Sequence, residues 1–129
     1  MRIFFMGTPE FAINSLEILV KSRHKVVGVL TNPDRPCGRG HKVICSPVKQ
    51  KALELGLPVF QNENINTLEF KELLDSLKPD LIITVCCCHY IIKWIREYAP
   101  YGSINLHPSL LPLYRGTSPI IEPIMRGDE

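Results

Sequence analysis

The sequence predicts a doubly wound α/β fold: a mostly parallel sheet of strand order 3-2-1-4-5 with helices on both faces. Three observations carry that prediction. Short apolar runs of strand length alternate with longer segments whose apolar residues recur at helical spacing. The junctions between them hold Gly, Pro and Ser/Thr cap signals. The run Leu81 to Cys86 is apolar or small at nearly every position, the composition of a strand covered on both faces.

Ile3 to Met6 forms the first strand and ends at Gly7-Thr8-Pro9. Phe11, Ala12, Leu16, Leu19 and Val20 then share a helix face. Thr8 is the expected cap, with Pro9 at the first helical position, where a missing N–H costs nothing. Lys25 to Thr31 is the second strand, and Asn32 to Cys45 reads as a long loop rich in Gly, Pro and Arg. Ser46-Pro47 repeats the cap-plus-proline device and opens a helix running to Gly56, a natural C′ stop. Val59-Phe60 is a short third strand. Asn66-Thr67-Leu68-Glu69 has capping-box spacing, and Phe70, Leu73, Leu74 and Leu77 give the helix after it a buried stripe. Leu81 to Cys86 is the fourth strand, a helical stretch follows around Ile92 to Tyr98, and Gly102 to Leu106 is the fifth strand. In such sheets ligands bind beyond the carboxyl ends of the strands where the winding reverses. The crevice is therefore expected between the first and fourth strands, bordered by Gly7-Thr8-Pro9, Cys86 to His89 and Asn105 to Pro108.

Across 129 residues, 15 Lys+Arg against 13 Asp+Glu leave a formal charge of +2, which excludes a wholly basic nucleic-acid module and confines any such contact to one region. No apolar run approaches the ~18 residues of a membrane span. The start, Met1 to Gly7, is too short for a signal peptide, so a cytoplasmic location is expected. Five cysteines, at 37, 45, 86, 87 and 88, are odd in number and uneven in layout, as reduced thiols are. Neighbouring strand residues point to opposite faces, so Cys87 diverges from Cys86 and Cys88 and no tetrahedral metal set is expected. The trio reads as small buried side chains in a central strand.

Several chemistries lack their motif. One glycine followed by Thr8-Pro9 replaces the G-x-G-x-x-G that would admit a dinucleotide pyrophosphate. Gly38-Arg39-Gly40-His41-Lys42 lacks the spacing of a P-loop, and there is no G-x-S-x-G nucleophile turn. What remains is Asn105 and His107, two residues apart at the end of the fifth strand and so on one face. An amide donor beside an imidazole suits acyl transfer, the amide holding an oxyanion and the imidazole moving a proton. The same spacing equally describes an asparagine that caps a turn beside a polar loop histidine.

The surrounding run, Ser103-Ile104-Asn105-Leu106-His107-Pro108-Ser109-Leu110-Leu111-Pro112-Leu113-Tyr114-Arg115-Gly116-Thr117-Ser118-Pro119-Ile120, closely resembles the signature N-x-H-x-S-L-L-P-x-Y-R-G of the 10-formyltetrahydrofolate-dependent formyltransferases. Met6 to Ala12, and Asn32 to Gly40 running on to Ser46-Pro47-Val48-Lys49, resemble the methionyl-tRNA formyltransferase branch. The resemblance spans nearly the whole chain and implies a Rossmann-like domain. It implies that 10-formyltetrahydrofolate donates a formyl group to the amino group of initiator methionyl-tRNA, without a metal. Asn105 would then polarise the formyl carbonyl and His107 assist proton transfer, with a partner aspartate beyond the end of this chain. Asp128, in the turn Arg126 to Glu129, is not assigned to catalysis.

By the same resemblance Cys86, Cys87, Cys88 and His89, with Ser109, Leu110, Leu111 and Pro112, would border the folate. Thr8, Pro9 and Arg115 would lie on the acceptor side, and the loop carrying Arg35, Arg39, His41 and Lys42 would enter the tRNA acceptor stem. Composition alone describes that loop as an ordinary solvated basic segment. The chain departs from the family pattern at Cys86 to Tyr90, where a Tyr-Gly turn is common, and at Leu113, where the transferase branch carries arginine. Thr117-Ser118 replaces a small Ala pair, a pattern also met in sugar-amine formyltransferases. A sugar-nucleotide amine N-formyltransferase and a non-catalytic folate-binding fragment are the alternatives. The expected organisation is residues 1–129 as the N-terminal part of the formyltransferase domain, ending before its later strands and a C-terminal tRNA-binding domain, and inactive alone.

Overall fold

Alternation along the first strand sets the architecture, because Phe4 and Met6 project to one face of the sheet and Phe5 to the other, all three fully buried. The computed structural model describes residues 1–40 and 42–128. In chain order these form β1 (Arg2–Gly7), a 3-10 turn (Glu10–Ala12), α1 (Ile13–Lys21), β2 (Lys25–Leu30), β3 (Arg35–Cys37), β4 (Lys42–Ile44) and α2 (Pro47–Glu54). There follow β5 (Val59–Phe60), α3 (Leu68–Leu77), β6 (Leu81–Val85), α4 (Lys93–Arg96), β7 (Ser103–Leu106) and α5 (Ile121–Arg126). The main sheet runs β5-β2-β1-β6-β7 with every pairing parallel, which is the expected 3-2-1-4-5 order.

Two apolar layers sandwich that sheet. On one side α3 and α4 bury Phe70, Leu74 and Ile95 against Phe4, Met6, Leu30 and Ile82. On the other, α1 and α2 bury Leu16, Val48 and Ala52 against Phe5, Val29 and Val85. A register shift between Ile3 and Phe4 inserts an extra residue in β2, which lets Val26 and Val29, an odd number of residues apart, face the same layer. Gly28 is dictated by packing: a Cβ there would lie 2.9 Å from Phe60 Cε2, 3.0 Å from Phe4 Cε2 and 3.1 Å from Leu77 Cδ1.

The helix ends follow local chemistry, though not always the expected residue. Ser46 Oγ accepts from Lys49 N at 3.0 Å with Pro47 next in line, as predicted. Gly56, at φ +68°, closes α2 through Gly56 N to Leu53 O at 3.1 Å and Leu57 N to Ala52 O at 2.9 Å, the two bonds of a Schellman turn. Thr67, not Asn66, caps α3 by accepting from Phe70 N at 3.2 Å. Asn66 is engaged elsewhere, its Oδ1 receiving Trp94 Nε1 at 3.1 Å. Thr8 does not cap the first helical segment either, because its hydroxyl accepts from Asn32 N at 3.3 Å; a 3-10 turn begins after Pro9 instead. Phe11, expected in the buried stripe, is 47% exposed because that turn rotates it outward from Ala12 and Leu16.

The segment expected as a loop from Asn32 to Cys45 contains the antiparallel hairpin β3–β4. The strand ends also differ. The second strand stops at Leu30, and the fourth stops at Val85 because Cys86 takes the left-handed conformation at φ +46°. Gly102, at φ +70°, precedes rather than joins the fifth strand. The helical stretch expected from Ile92 to Tyr98 is the single turn Lys93–Arg96. Among the described residues no helix is long and apolar enough to cross a membrane.

Candidate active site

The turn at Cys86 and the end of β7 open a cleft of about 660 Å³ beyond the carboxyl ends of β6 and β7. Its size lies within the range of about 300–1,000 Å³ usual for small-molecule sites. Cys86 to Tyr90 form one wall, and Gly116, Thr117 and Pro119 to Ile121 the other. Asn105 to Pro108 lie between them. The cleft is one strand away from the expected crevice between the first and fourth strands. At that position Thr8 is tied to its neighbours by polar contacts, with Thr8 Oγ1 beside Asn32 N, Thr31 Oγ1 at 3.5 Å and Cys88 Sγ at 3.6 Å.

Asn105 and His107 both line this cleft, as their spacing predicts. Thr84 and Asn105 are register partners across the parallel β6–β7 pair, so their side chains share a face. The Thr84 hydroxyl donates to Asn105 Oδ1 at 2.8 Å. With the amide oxygen so engaged, the Asn105 NH₂ is the end left to donate. His107 Nε2 donates to the carbonyl of Tyr114 at 2.8 Å, because a carbonyl can only accept. That bond places the proton on Nε2 and leaves Nδ1 as the basic nitrogen. Two fixed groups result, an amide donor and an imidazole acceptor, beside one cavity.

The cysteine wall is not uniformly buried, contrary to the expectation of three small core side chains. Cys87 packs against the α3/α4 layer and lies 3.8 Å from His89 Nδ1, with burial pushing its thiol up to about 11. Cys86 is half-buried and its thiol is also raised by burial. Cys88 is exposed and donates to Asn32 Oδ1. The left-handed turn at Cys86 breaks the strand alternation and causes this divergence. His89 Nε2 donates to Asn62 O at 2.7 Å, holding the wall against the segment after β5. Among the described residues, no three His, Cys, Asp or Glu side chains converge as metal ligands.

The model of the formyl transferase family matches residues 1–129 of this chain. The chain belongs to the formyl transferase family. It is 49% identical over 129 residues to the methionyl-tRNA formyltransferase of Acidobacterium capsulatum, covering 99% of this chain and 42% of that protein. It is 48% identical over 129 residues to the protein of the same name from Kosmotoga olearia, covering 100% of this chain and 42% of the relative. This formyl transferase chain thus spans about two fifths of the length of those relatives. Its fold is that of phosphoribosylglycinamide formyltransferase from Anaplasma phagocytophilum, with a TM-score of 0.73 at 19% identity over 98% of this chain and 59% of that one. The corresponding structure from Bacillus halodurans superposes with a TM-score of 0.72 at 17% identity, over 98% of this chain and 66% of that one.

The remaining sequence-derived residues of this formyl transferase fall outside the cleft. Thr8 and Pro9 do not line it, nor does the exposed Arg115. Ser109, Leu110, Leu111 and Pro112 also lie away from it, because the loop folds back on itself. Ser109 Oγ donates to Leu113 O at 2.8 Å, and Leu110 is left 86% exposed. Arg35, Arg39 and Lys42 project from the β3–β4 hairpin; all three are exposed, and none joins an ion pair among the described residues. His41 lies outside the described residues.

The root of the hairpin is clamped. Asp34 pairs with Lys49 and accepts from Gln61 Nε2 at 2.8 Å, and these bonds hold its carboxyl below the ordinary aspartate value. Gln61 Nε2 also donates to Asn32 O at 2.8 Å, and Asn32 in turn meets Cys88 in the cleft wall. Sequence reasoning did not find Thr84, the Tyr114 carbonyl or this clamp. Thr84 left a signal, as the one hydroxyl in the run Leu81 to Val85; a backbone carbonyl leaves none.

Proposed function

We propose that this chain supplies the N-terminal, donor-binding part of a methionyl-tRNA formyltransferase, transferring a formyl group from 10-formyltetrahydrofolate to the amino group of methionyl-initiator-tRNA in the cytoplasm. The observation that carries this reading is the pairing of an Asn105 amide, oxygen engaged and NH₂ free, with a His107 imidazole of fixed tautomer on one cleft. The relatives of 45–49% identity that bear the methionyl-tRNA formyltransferase name support the acceptor class. The cleft fits a folate donor in kind: Leu106, Pro108, Ile120 and Ile121 offer apolar contact to a ring system, and Asn105 offers a donor beside it.

When bound, 10-formyltetrahydrofolate supplies an activated formyl group. The Asn105 NH₂ would donate to the formyl oxygen and stabilise the negative charge that develops there as the acceptor amine attacks. His107 Nδ1 would accept the proton that the amine loses as the new C–N bond forms and pass it to the folate N10 as the C–N10 bond breaks, so that tetrahydrofolate leaves with that proton. The Tyr114 carbonyl keeps the imidazole in the tautomer that can do so. Arg35, Arg39 and Lys42, with His41 beside them in sequence, meet acceptor-stem phosphates, and the Asp34 clamp holds the hairpin at a defined angle to the cleft wall.

The test is formyl transfer by the full-length protein of which this chain is proposed to form the N-terminal part, from labelled 10-formyltetrahydrofolate to charged initiator tRNA and, in parallel, to an amino-sugar nucleotide. Transfer to the tRNA alone is expected. Transfer to the sugar nucleotide alone would overturn the acceptor, and His107→Ala with near-normal turnover would overturn the catalytic assignment, since loss of a general base costs about 10²–10⁴-fold.

A further inference from the structure

We infer that Thr84 is a positioning residue that selects which end of the Asn105 amide faces the formyl group; the inference rests on the formyl-transfer reading above. The oxygen and nitrogen ends of a carboxamide are nearly the same size, so packing alone discriminates poorly between them. Only the nitrogen end can donate to an oxyanion. A hydroxyl that donates to Oδ1 at 2.8 Å therefore favours the useful orientation, because with the amide reversed its proton would be left with the Ile104 carbonyl at 3.4 Å.

Thr84 is placed for this. It stands between Ile83 and Val85 in an aliphatic strand and is 5% exposed. A hydroxyl so buried must find a partner. Its acceptors are Asn105 Oδ1 at 2.8 Å and the more distant Ile104 O at 3.4 Å, so the single hydroxyl proton goes to the amide. Valine would match the shape of Thr84 and the character of its neighbours, and so the hydroxyl has no packing purpose. The contact is built by register: Thr84 and Asn105 are Cα partners in adjacent parallel strands, and neither can move without disturbing the β6–β7 ladder. Thr84 touches no reacting atom itself and acts through Asn105.

The experiment compares Thr84→Val, Thr84→Ala, Thr84→Ser, Asn105→Ala and Asn105→Ala combined with Thr84→Val in the active full-length protein that contains this chain, measuring kcat and KM for 10-formyltetrahydrofolate. Both variants lacking the hydroxyl are expected to lower kcat by about three- to tenfold, the worth of one such hydrogen bond, with KM within about twofold. Thr84→Ser, which keeps the hydroxyl, restores most of that loss. In the Asn105→Ala background Thr84→Val has no further effect. A wild-type kcat in Thr84→Val or in Thr84→Ala, or the same fold-loss with and without Asn105, would overturn the inference while leaving the catalytic role of Asn105 standing. Near-normal turnover in Asn105→Ala would instead overturn that role, and this inference with it.

Discussion

Replacing Phe70 with alanine removes the ring around which the α3 layer is assembled. Phe70 is fully buried and meets Phe4 edge-on at 6.0 Å and 68°, and Trp94 at 6.4 Å and 64°. Truncating a buried phenylalanine to alanine costs about 3–5 kcal/mol. Each edge-to-face contact adds about 0.5–1.5 kcal/mol beyond buried area, which places this site in the upper part of that range, about 4–5 kcal/mol. At roughly 2.1 cal/mol/K per residue, 129 residues have an unfolding entropy of about 0.27 kcal/mol/K, so Tm should fall by roughly 15–18 °C. The assay is thermal unfolding followed by the fluorescence of Trp94, the sole tryptophan, which reports from the other side of the lost ring. Phe70→Leu, which keeps much of the volume, should lose far less. A fall below about 5 °C in Phe70→Ala would refute the reasoning, because it would mean that Phe4, Trp94 and Leu74 close over the space.

Gly28→Ala should lower stability by about 1–3 kcal/mol, read as a shifted urea midpoint at unchanged slope, since the new methyl meets Phe4, Phe60 and Leu77 at about 3 Å or less. Tyr98 should ionise late in a 295 nm titration, near pH 12, because burial first and the Asp75 hydrogen bond second raise its phenol. A phenol raised in the folded state contributes stability in full below its ordinary value near 10, and that contribution is lost as pH rises toward about 12. Asp75→Asn should bring the late titration down, and its absence in the unmodified protein would contradict the geometry. Under a neutral alkylating agent, fragment mass spectrometry should find Cys88 modified before Cys87, whose thiol is packed and raised to about 11. The reverse order would show that the turn at Cys86 presents the other sulfur.

Where one strong local rule operates alone, the sequence is a good guide to this fold. Ser46-Pro47 and Gly56 bracket α2 as read, and the all-apolar β6 sits beside β1 where a strand covered on both faces belongs. Competition between partners defeats the same rules elsewhere. Thr8 has cap chemistry, but Asn32 N takes its hydroxyl; Asn66 has it too, but Trp94 takes its carbonyl. Those partners lie 24 and 28 residues away in sequence, and no local pattern names them. The β3–β4 hairpin escaped notice for another reason. Arg35-Pro36-Cys37 pairs with Lys42 to Ile44 at the surface, and Lys42, Val43 and Ile44 are all exposed, so no alternation of burial marks a strand. Asn105 and His107 were legible because a two-residue spacing on a strand implies one face. Ser109 to Pro112 were placed by the motif alone, and the motif does not say which way a loop turns.

Arg2 has a consequence for the order in which the chain can assemble. Its backbone N–H donates to Asp80 Oδ2 at 2.7 Å and its guanidinium to Leu77 O at 2.6 Å, closing α3 from 75 to 78 residues away. The first strand is thus tied down by a segment made some 75 residues later. In the interval β1 can pair with β2, which begins at Lys25, but its other edge stays open until Leu81 to Val85 arrive. That edge presents unpaired backbone groups on a strand whose faces carry Phe4, Phe5 and Met6, an apolar template of the kind that recruits other nascent strands. Translation speed between Leu30 and Val85 therefore sets how long the central strand stays half-paired, and slowing it should favour aggregation more than slowing synthesis after Val85.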